Sequence, residues 1–217
     1  MPFDVAKDLT AVINVAAVPN VMTVNPKLPA SNVKEFIATL KANPEKYAFA
    51  TSGPGAEGHV AMESFKKITK TQALHVPYKG SGPALQDTLA GTTQIMVGNL
   101  PSLMPFIQSG SLKALAITGS QRLAALPNVP TYTEVGLPEL NRASWFGLIV
   151  SSKTPAAIVD QLNVAANKVL ADPATRAALE KIGARAEGGS AASFAAVIKE
   201  EMIVQHDIVK FAKITAD

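Results

Sequence analysis

The chain has 217 residues, 47% of them hydrophobic and 17% charged, and it contains no cysteine. That length suits one large domain or two small ones, and the lack of thiols excludes disulfides and thiolate metal sites while leaving the redox compartment open. Net charge is +3, but residues 1–120 hold ten dispersed lysines, seven acids and no arginine, with no interleaved aromatic run. This is a solvated mixed surface and argues against nucleic acid as a partner.

The N-terminal "MPFDVAKDLT" lacks the basic and apolar regions of a secretory signal, so as it stands the chain is not addressed for export. The longest apolar stretch, residues 12–24, is broken by Asn14, Pro19 and Asn20 and does not read as membrane-spanning. "NVKEFIATLKANP" sets Val33, Phe36, Ile37 and Leu40 at helical spacing, with Ser31 or Asn32 able to cap the start and Pro44 beyond the end.

A strand, glycine loop and helix then recur three times. The first unit is a strand over 47–51, the loop "TSGPGAEGH" and a helix around 60–68. The second is a strand over 73–78, the loop "YKGSGPA" and a helix over 83–89, with Gly91 as a stop. The third is a strand over 94–97, a loop over 98–101 and a helix through Gln108, with Gly110 as a stop. "LKALAITG" is a fourth strand. The alternation predicts an α/β fold with a parallel sheet. After Ser120 the style changes. "QRLAALPNVPTYTEVGLPELNRA" reads as a proline-rich connection with one short helix. "SWFGLIV" reads as a strand with Trp145 and Phe146 in the core, and everything from Thr154 onward reads as helical. The expected division is an α/β lobe at 1–120, a crossover and strand at 121–150, and a helical tail at 151–217.

In parallel α/β sheets ligands bind beyond the carboxyl ends of strands. Three such turns occur here, each with Gly, Ser, Thr or Asn just before a helix. Any one of them alone is an ordinary glycine-rich turn; three on one edge shift the balance toward a binding rim. Gly53, Gly55 and Gly58 form G-x-G-x-x-G. A Walker A loop fails, because His59 and Val60 occupy the Lys and Ser/Thr positions. A Rossmann fingerprint wants an acid about 20 residues on, where Tyr78 and Lys79 stand; an NADP-binding enzyme is weakened as a reading but survives. Pro54 removes an N–H that a pyrophosphate would use. A small carboxylate fits better, received by backbone N–H groups, hydroxyls and Lys79.

Catalytic readings are poor. His59, His75 and His206 lie apart and lack zinc-helix spacing, so no metal or cofactor is expected. "ATSGPG" is not a nucleophile elbow, since Ala50 and Pro54 stand where glycines are needed. His75, inside an apolar strand, reads as structural. His59, at the mouth of a helix, reads more readily as capping or packing than as touching a ligand.

"HVPYKGSGPALQDTLAG", "LKALAITGSQRLAALPNVPTYTEVGLPEL" and "SWFGLIVSSKTPAAIVDQLN" resemble the tripartite tricarboxylate transporter substrate-binding proteins, the TctC or Bug family of extracytoplasmic solute receptors. The resemblance runs from "PFDVAKDLT" to near the C-terminus. It implies a periplasmic-binding-protein-like (type II) α/β fold: a central lobe with a mostly parallel sheet, and C-terminal helices belonging to an incomplete first lobe. It also implies a receptor, not an enzyme, that captures small carboxylates in the periplasm and delivers them to membrane permease subunits; a chain without a signal peptide leaves a cytoplasmic form open. Carried over, the ligand-binding residues are Thr51, Ser52, Gly53, Gly55 and His59 on the first loop, Lys79, Gly80 and Ser81 on the second, and Gly98 and Asn99 on the third.

Two departures from the family pattern follow. The family commonly has Asp where this chain has Gly98, which makes an amino-acid ligand less expected than a simple acid. The family's opening signal peptide and "PFPPGG" loop, one wall of the cleft, do not precede this chain's start. The expected consequences are weak ligand binding and homo-oligomerisation through apolar faces of the tail helices over 155–170 and 191–214. A truncated sensing or interaction module is the rival reading.

Overall fold

The computed structural model describes residues 4–215. A short helix α1 (Val5–Asp8), capped by the Asp4 carboxylate on the Ala6 N–H, leads into strand β1 (Leu9–Val18). Pro19 has no N–H to continue a ladder, and β2 (Asn20–Val24) begins immediately after it, in a different sheet. The apolar run that sequence reading treated only as too broken for a membrane span is therefore two strands, as its valines and isoleucine favour.

Helix α2 (Val33–Ala42) buries Val33, Phe36 and Leu40. Asn32 is its cap: its side-chain oxygen accepts the Glu35 N–H at 2.9 Å, while the Glu35 carboxylate accepts the Ser31 N–H at 2.8 Å. This exchange satisfies two backbone donors at the helix start. The alternation follows as β3 (Ala48–Thr51), α3 (Glu57–Thr69), β4 (Leu74–Pro77), α4 (Ser81–Ala90), β5 (Ile95–Asn99), α5 (Leu100–Gln108) and β6 (Lys113–Ile117). The loop expected over 98–101 does not exist. β5 runs through Gly98 and Asn99, and α5 starts on the next residue.

These strands form a five-stranded sheet in the order β4-β3-β5-β2-β6. β3 is parallel to β4 and β5, while β2 is antiparallel to β5 and β6. Four strands thus run one way and β2 alone runs against them, so the sheet is mostly parallel, as expected. On one face Phe36 and Phe65 meet with ring centroids 5.4 Å apart, among Phe49, Met62 and Ile95. On the other, Ala84, Met96, Leu100, Leu103 and Leu112 cluster.

The close seating of α3 rests on Gly58. A Cβ there would collide with the Val97 carbonyl oxygen of β5. The third glycine of G-x-G-x-x-G is thus needed for helix–strand packing.

The connection after β6 holds one 3-10 turn (Pro138–Leu140) and lies against the sheet. Leu126 and Val129 enter one core cluster, Tyr132 and Leu137 the other. Thr131 and Glu134 exchange backbone-to-side-chain hydrogen bonds, and Arg122 reaches Glu134 at 2.9 Å. The "LPNVPTYTEVGLP" run is therefore a packed strap.

Strand β7 (Ser144–Ser151), helices α6 (Ala156–Ala171) and α7 (Pro173–Lys181), strand β8 (Arg185–Ala186) and helix α8 (Ala191–Phe211) complete the chain. β8 corrects the reading of everything past Thr154 as helical. β1 pairs antiparallel with both β7 and β8 in a three-stranded sheet. α6 lays Val159 and Leu170 on Val12 and Ile13 of β1. The tail helices therefore have a sheet to cover within this chain, although Val164 and Val169 of α6 remain exposed. Trp145 meets Phe194 of α8 edge-on, with centroids 5.0 Å apart.

The chain divides into two compact units, residues 1–18 with 144–204 and residues 19–143 with 205–217. These boundaries do not coincide with the divisions at 120 and 150 drawn from the sequence. Among the described residues no helix is long and apolar enough to cross a membrane.

Phe36 is fully buried and packed ring to ring. Replacing it with alanine removes its contacts and leaves a cavity, and is expected to cost about 3–5 kcal/mol, read as a lowered urea midpoint.

Candidate functional site

The carboxyl ends of β3, β4 and β5 share one edge of the five-stranded sheet because the strands are parallel. β2 runs the other way and starts at that edge, so Asn20 stands opposite Asn99. A cavity of about 230 Å³ opens there. Ser52, Ser81 and Ser102 line it from three successive strand-to-helix passages, and Leu85, Met96, Val97 and Leu103 supply apolar lining. Helices α3, α4 and α5 all begin without a side-chain cap, unlike α2. Uncapped first-turn N–H groups carry partial positive charge and suit an anion.

The predicted residues separate into two groups. Thr51, Ser52, Ser81, Gly98 and Asn99 line the cavity; Gly53, Gly55, His59, Lys79 and Gly80 are not part of its lining. Thr51 is buried, and its hydroxyl lies 2.7 Å from His75 Nε2 and bonds the Gly53 backbone, so it is committed to shaping the loop. His59 is 7% exposed, and its Nδ1 accepts the Gly55 N–H at 3.1 Å. It holds the loop from behind. Lys79 projects as an exposed side chain. Gly80 has φ 110°, in the region that favours glycine, and its N–H donates to the Ser52 carbonyl at 3.1 Å, tying the second loop to the first.

Sequence reasoning missed Glu57, Asn20 and Ser102. Glu57, in the first turn of α3, lines the cavity beside Gly98. Asn20 Nδ2 donates to Glu57 Oε1, Asn99 Nδ2 donates to Glu57 Oε2 at 3.3 Å, and Asn99 Nδ2 also reaches Asn20 Oδ1 at 2.9 Å. Glu57 thus brings a carboxylate to the cavity from α3. The acid stood inside the quoted glycine motif, where attention to the glycine spacing passed over it. Among the described residues no group of three or more His, Asp or Glu side chains is placed to hold a metal ion.

Behind the first loop the His59 and His75 rings stack at 3.6 Å, and Phe49 stacks on His75 at 4.9 Å. Burial holds His59 below its usual pKa; Glu63 opposes this and Lys66 adds to it. Burial, then His59 and Lys66, push His75 down to about 4. A histidine depressed in the folded state contributes its full stability above the unfolded value near 6.5 and loses it as pH falls toward 4. The loss is expected to be on the order of 2 kcal/mol after allowance for partial exposure. Urea unfolding of the wild type and of His75→Gln between pH 7.5 and 4.5 should show a gap that changes across this window. A gap constant with pH would remove His75 as the cause.

A mostly parallel sheet whose strand ends carry a cavity between uncapped helices, in a chain that also holds a second small α/β unit, defines a protein of the periplasmic-binding-protein fold class. R. palustris Rpa4515, solved with adipate, is 33% identical with a TM-score of 0.90, over 99% of this chain and 72% of that one. MatC (Rpa3494) from Rhodopseudomonas palustris, solved with bound malate, is 27% identical with a TM-score of 0.86, over 95% and 71%. Residues 1–214 match the tripartite tricarboxylate transporter family receptor, TctC, and the chain belongs to that family. Protein BugT of Bordetella pertussis is 38% identical over 184 residues, 85% of this chain and 56% of BugT. The chain spans between about half and two thirds of the length of BugT and two other curated relatives it matches. The family is one of receptors, not enzymes.

Proposed function

We propose that residues 19–143 and 205–217 provide a carboxylate-receiving wall of a periplasmic solute receptor that feeds the membrane permease of a tripartite tricarboxylate transporter. The observation that carries this reading is the cavity itself, where Ser52, Ser81 and Ser102 converge with three helix starts that lack side-chain caps. Hydroxyl and backbone donors aimed at one space suit a carboxylate, which accepts several hydrogen bonds and donates none. The adipate and malate in the two related structures support a small organic acid as the ligand class.

Isothermal titration with short mono- and dicarboxylates tests the reading. At least one should bind, and Ser52→Ala combined with Ser81→Ala should weaken it. Each charge-assisted hydrogen bond contributes roughly 1.5–3 kcal/mol when shielded from water, so the pair should cost more than about tenfold in affinity. An unchanged affinity in the double variant would reduce these loops to turns.

A further inference from the structure

We infer that His59 is a positioning residue of the carboxylate site: its neutral ring holds the first glycine loop in the shape that receives the ligand, and the site loses affinity when that ring takes up a proton. The inference rests on the carboxylate reading above and adds a pH dependence to it. Two residues of the loop, Gly53 and Gly55, adopt φ 145° and 71° and gain no rigidity from side chains of their own. The loop is held from behind instead. Gly55 donates its N–H to His59 Nδ1 at 3.1 Å. Gly53 is tied to the Thr51 hydroxyl, which itself meets His75 Nε2 at 2.7 Å. Ser52, between Thr51 and Gly53, lines the cavity and accepts the Gly80 N–H at 3.1 Å, next to Ser81. A shift of this loop thus moves two of the cavity serines.

The two histidines differ in how they bear a proton. In an imidazolium both ring nitrogens donate. Thr51 accommodates this at His75, because a hydroxyl can accept from Nε2 and turn its own hydrogen to the Gly53 carbonyl. Gly55 cannot accommodate it at His59, because an amide N–H only donates. The stack on His75, with centroids 3.6 Å apart, restrains the ring from turning away. Burial disfavours a cation on either ring, and the charges around them decide which is protonated first. From α3, Glu63 Oε1 lies 3.9 Å from His59 Nε2 and favours the charged ring, while Lys66, bonded to Glu63 at 2.6 Å, opposes it. From β4, His75 faces His59, and both His59 and Lys66 disfavour a cation on His75. From β3 come Phe49 and Thr51, which carry no charge. Glu63 therefore directs the first proton to His59, and the charged ring is drawn toward Glu63 as its bond to Gly55 fails. A histidine that merely packs would lower folding stability in acid and leave ligand binding unlinked to protons.

The test is isothermal titration of the full chain with adipate and with malate at pH 7.5 and 5.0, in two buffers of different ionisation enthalpy, with circular dichroism confirming the fold at both. His59→Asn is the comparison: its Oδ1 stands near the place of Nδ1, can accept the Gly55 N–H and cannot titrate. The ligand's own protonation is common to both proteins. We expect the wild type to lose at least ~3-fold more affinity than His59→Asn between the two pH values, and to release more protons on binding at pH 5.0. Equal losses with equal proton release would overturn the inference while leaving the carboxylate reading intact. So would a wild type that gains affinity in acid and takes up protons on binding, the sign of plain attraction between an imidazolium and an anion. Binding of neither acid at pH 7.5 would overturn both. If His59→Asn fails to fold or to bind, the wild type decides alone: net proton release at pH 5.0 beyond the free acid's own ionisation supports the inference, and none or an uptake overturns it.

Discussion

The contact on which the site depends is the approach of α3 to β5 at Gly58. With no Cβ at that position, the helix start settles against the Val97 carbonyl. This seating brings Glu57 to the ends of two strands and compresses the preceding loop into a tight turn. The loop is then held from below: Thr51 and His75 share a short hydrogen bond, and His59 accepts the Gly55 N–H. Packing and polar bonding act together here. The helix sets the height of the loop, and the two histidines set its shape.

The antiparallel strand is the second organising feature. If β2 ran with its neighbours, its last residue would sit at the cavity edge. Because it runs against them, its first residue does, and Asn20 joins Asn99 and Glu57. On the other side Asn20 exchanges hydrogen bonds with Thr118, just past β6. The rim is thus tied across three adjacent strands. A rim built on sheet backbone is stiffer than one built on loops alone, which favours placing donors and acceptors before a ligand arrives.

Much of the α/β alternation was legible because each strand-to-helix passage is punctuated by glycine or proline, and each helix carries an apolar stripe of period 3.6. β1 and β2 were not, because they form one apolar run whose division depends on Pro19 and on pairings far along the chain. Asn20 and Asn99 are 79 residues apart. The glycine loops were legible as turns, but which side chains face the cavity is a tertiary fact. Thr51 and His59 carried the right chemistry, yet the Thr51 hydroxyl is taken by His75 and Gly53 and the His59 ring by Gly55. Glu57 was visible only as one more polar letter until Gly58 fixed the register of α3. The tail was misjudged because a two-residue strand such as β8 leaves almost no periodic signal.

The aromatic placement has a spectroscopic consequence. Trp145, the only tryptophan, packs on Phe194 in the unit of residues 1–18 and 144–204, whereas all three tyrosines, Tyr47, Tyr78 and Tyr132, lie in the other. Emission excited at the red edge of the spectrum, where tyrosine does not absorb, therefore reports on one unit alone. The tyrosine component of the near-ultraviolet absorbance, once separated from the overlapping tryptophan band, reports on the other. The two units carry separate optical labels, and their melting can be followed independently in a single unmodified sample.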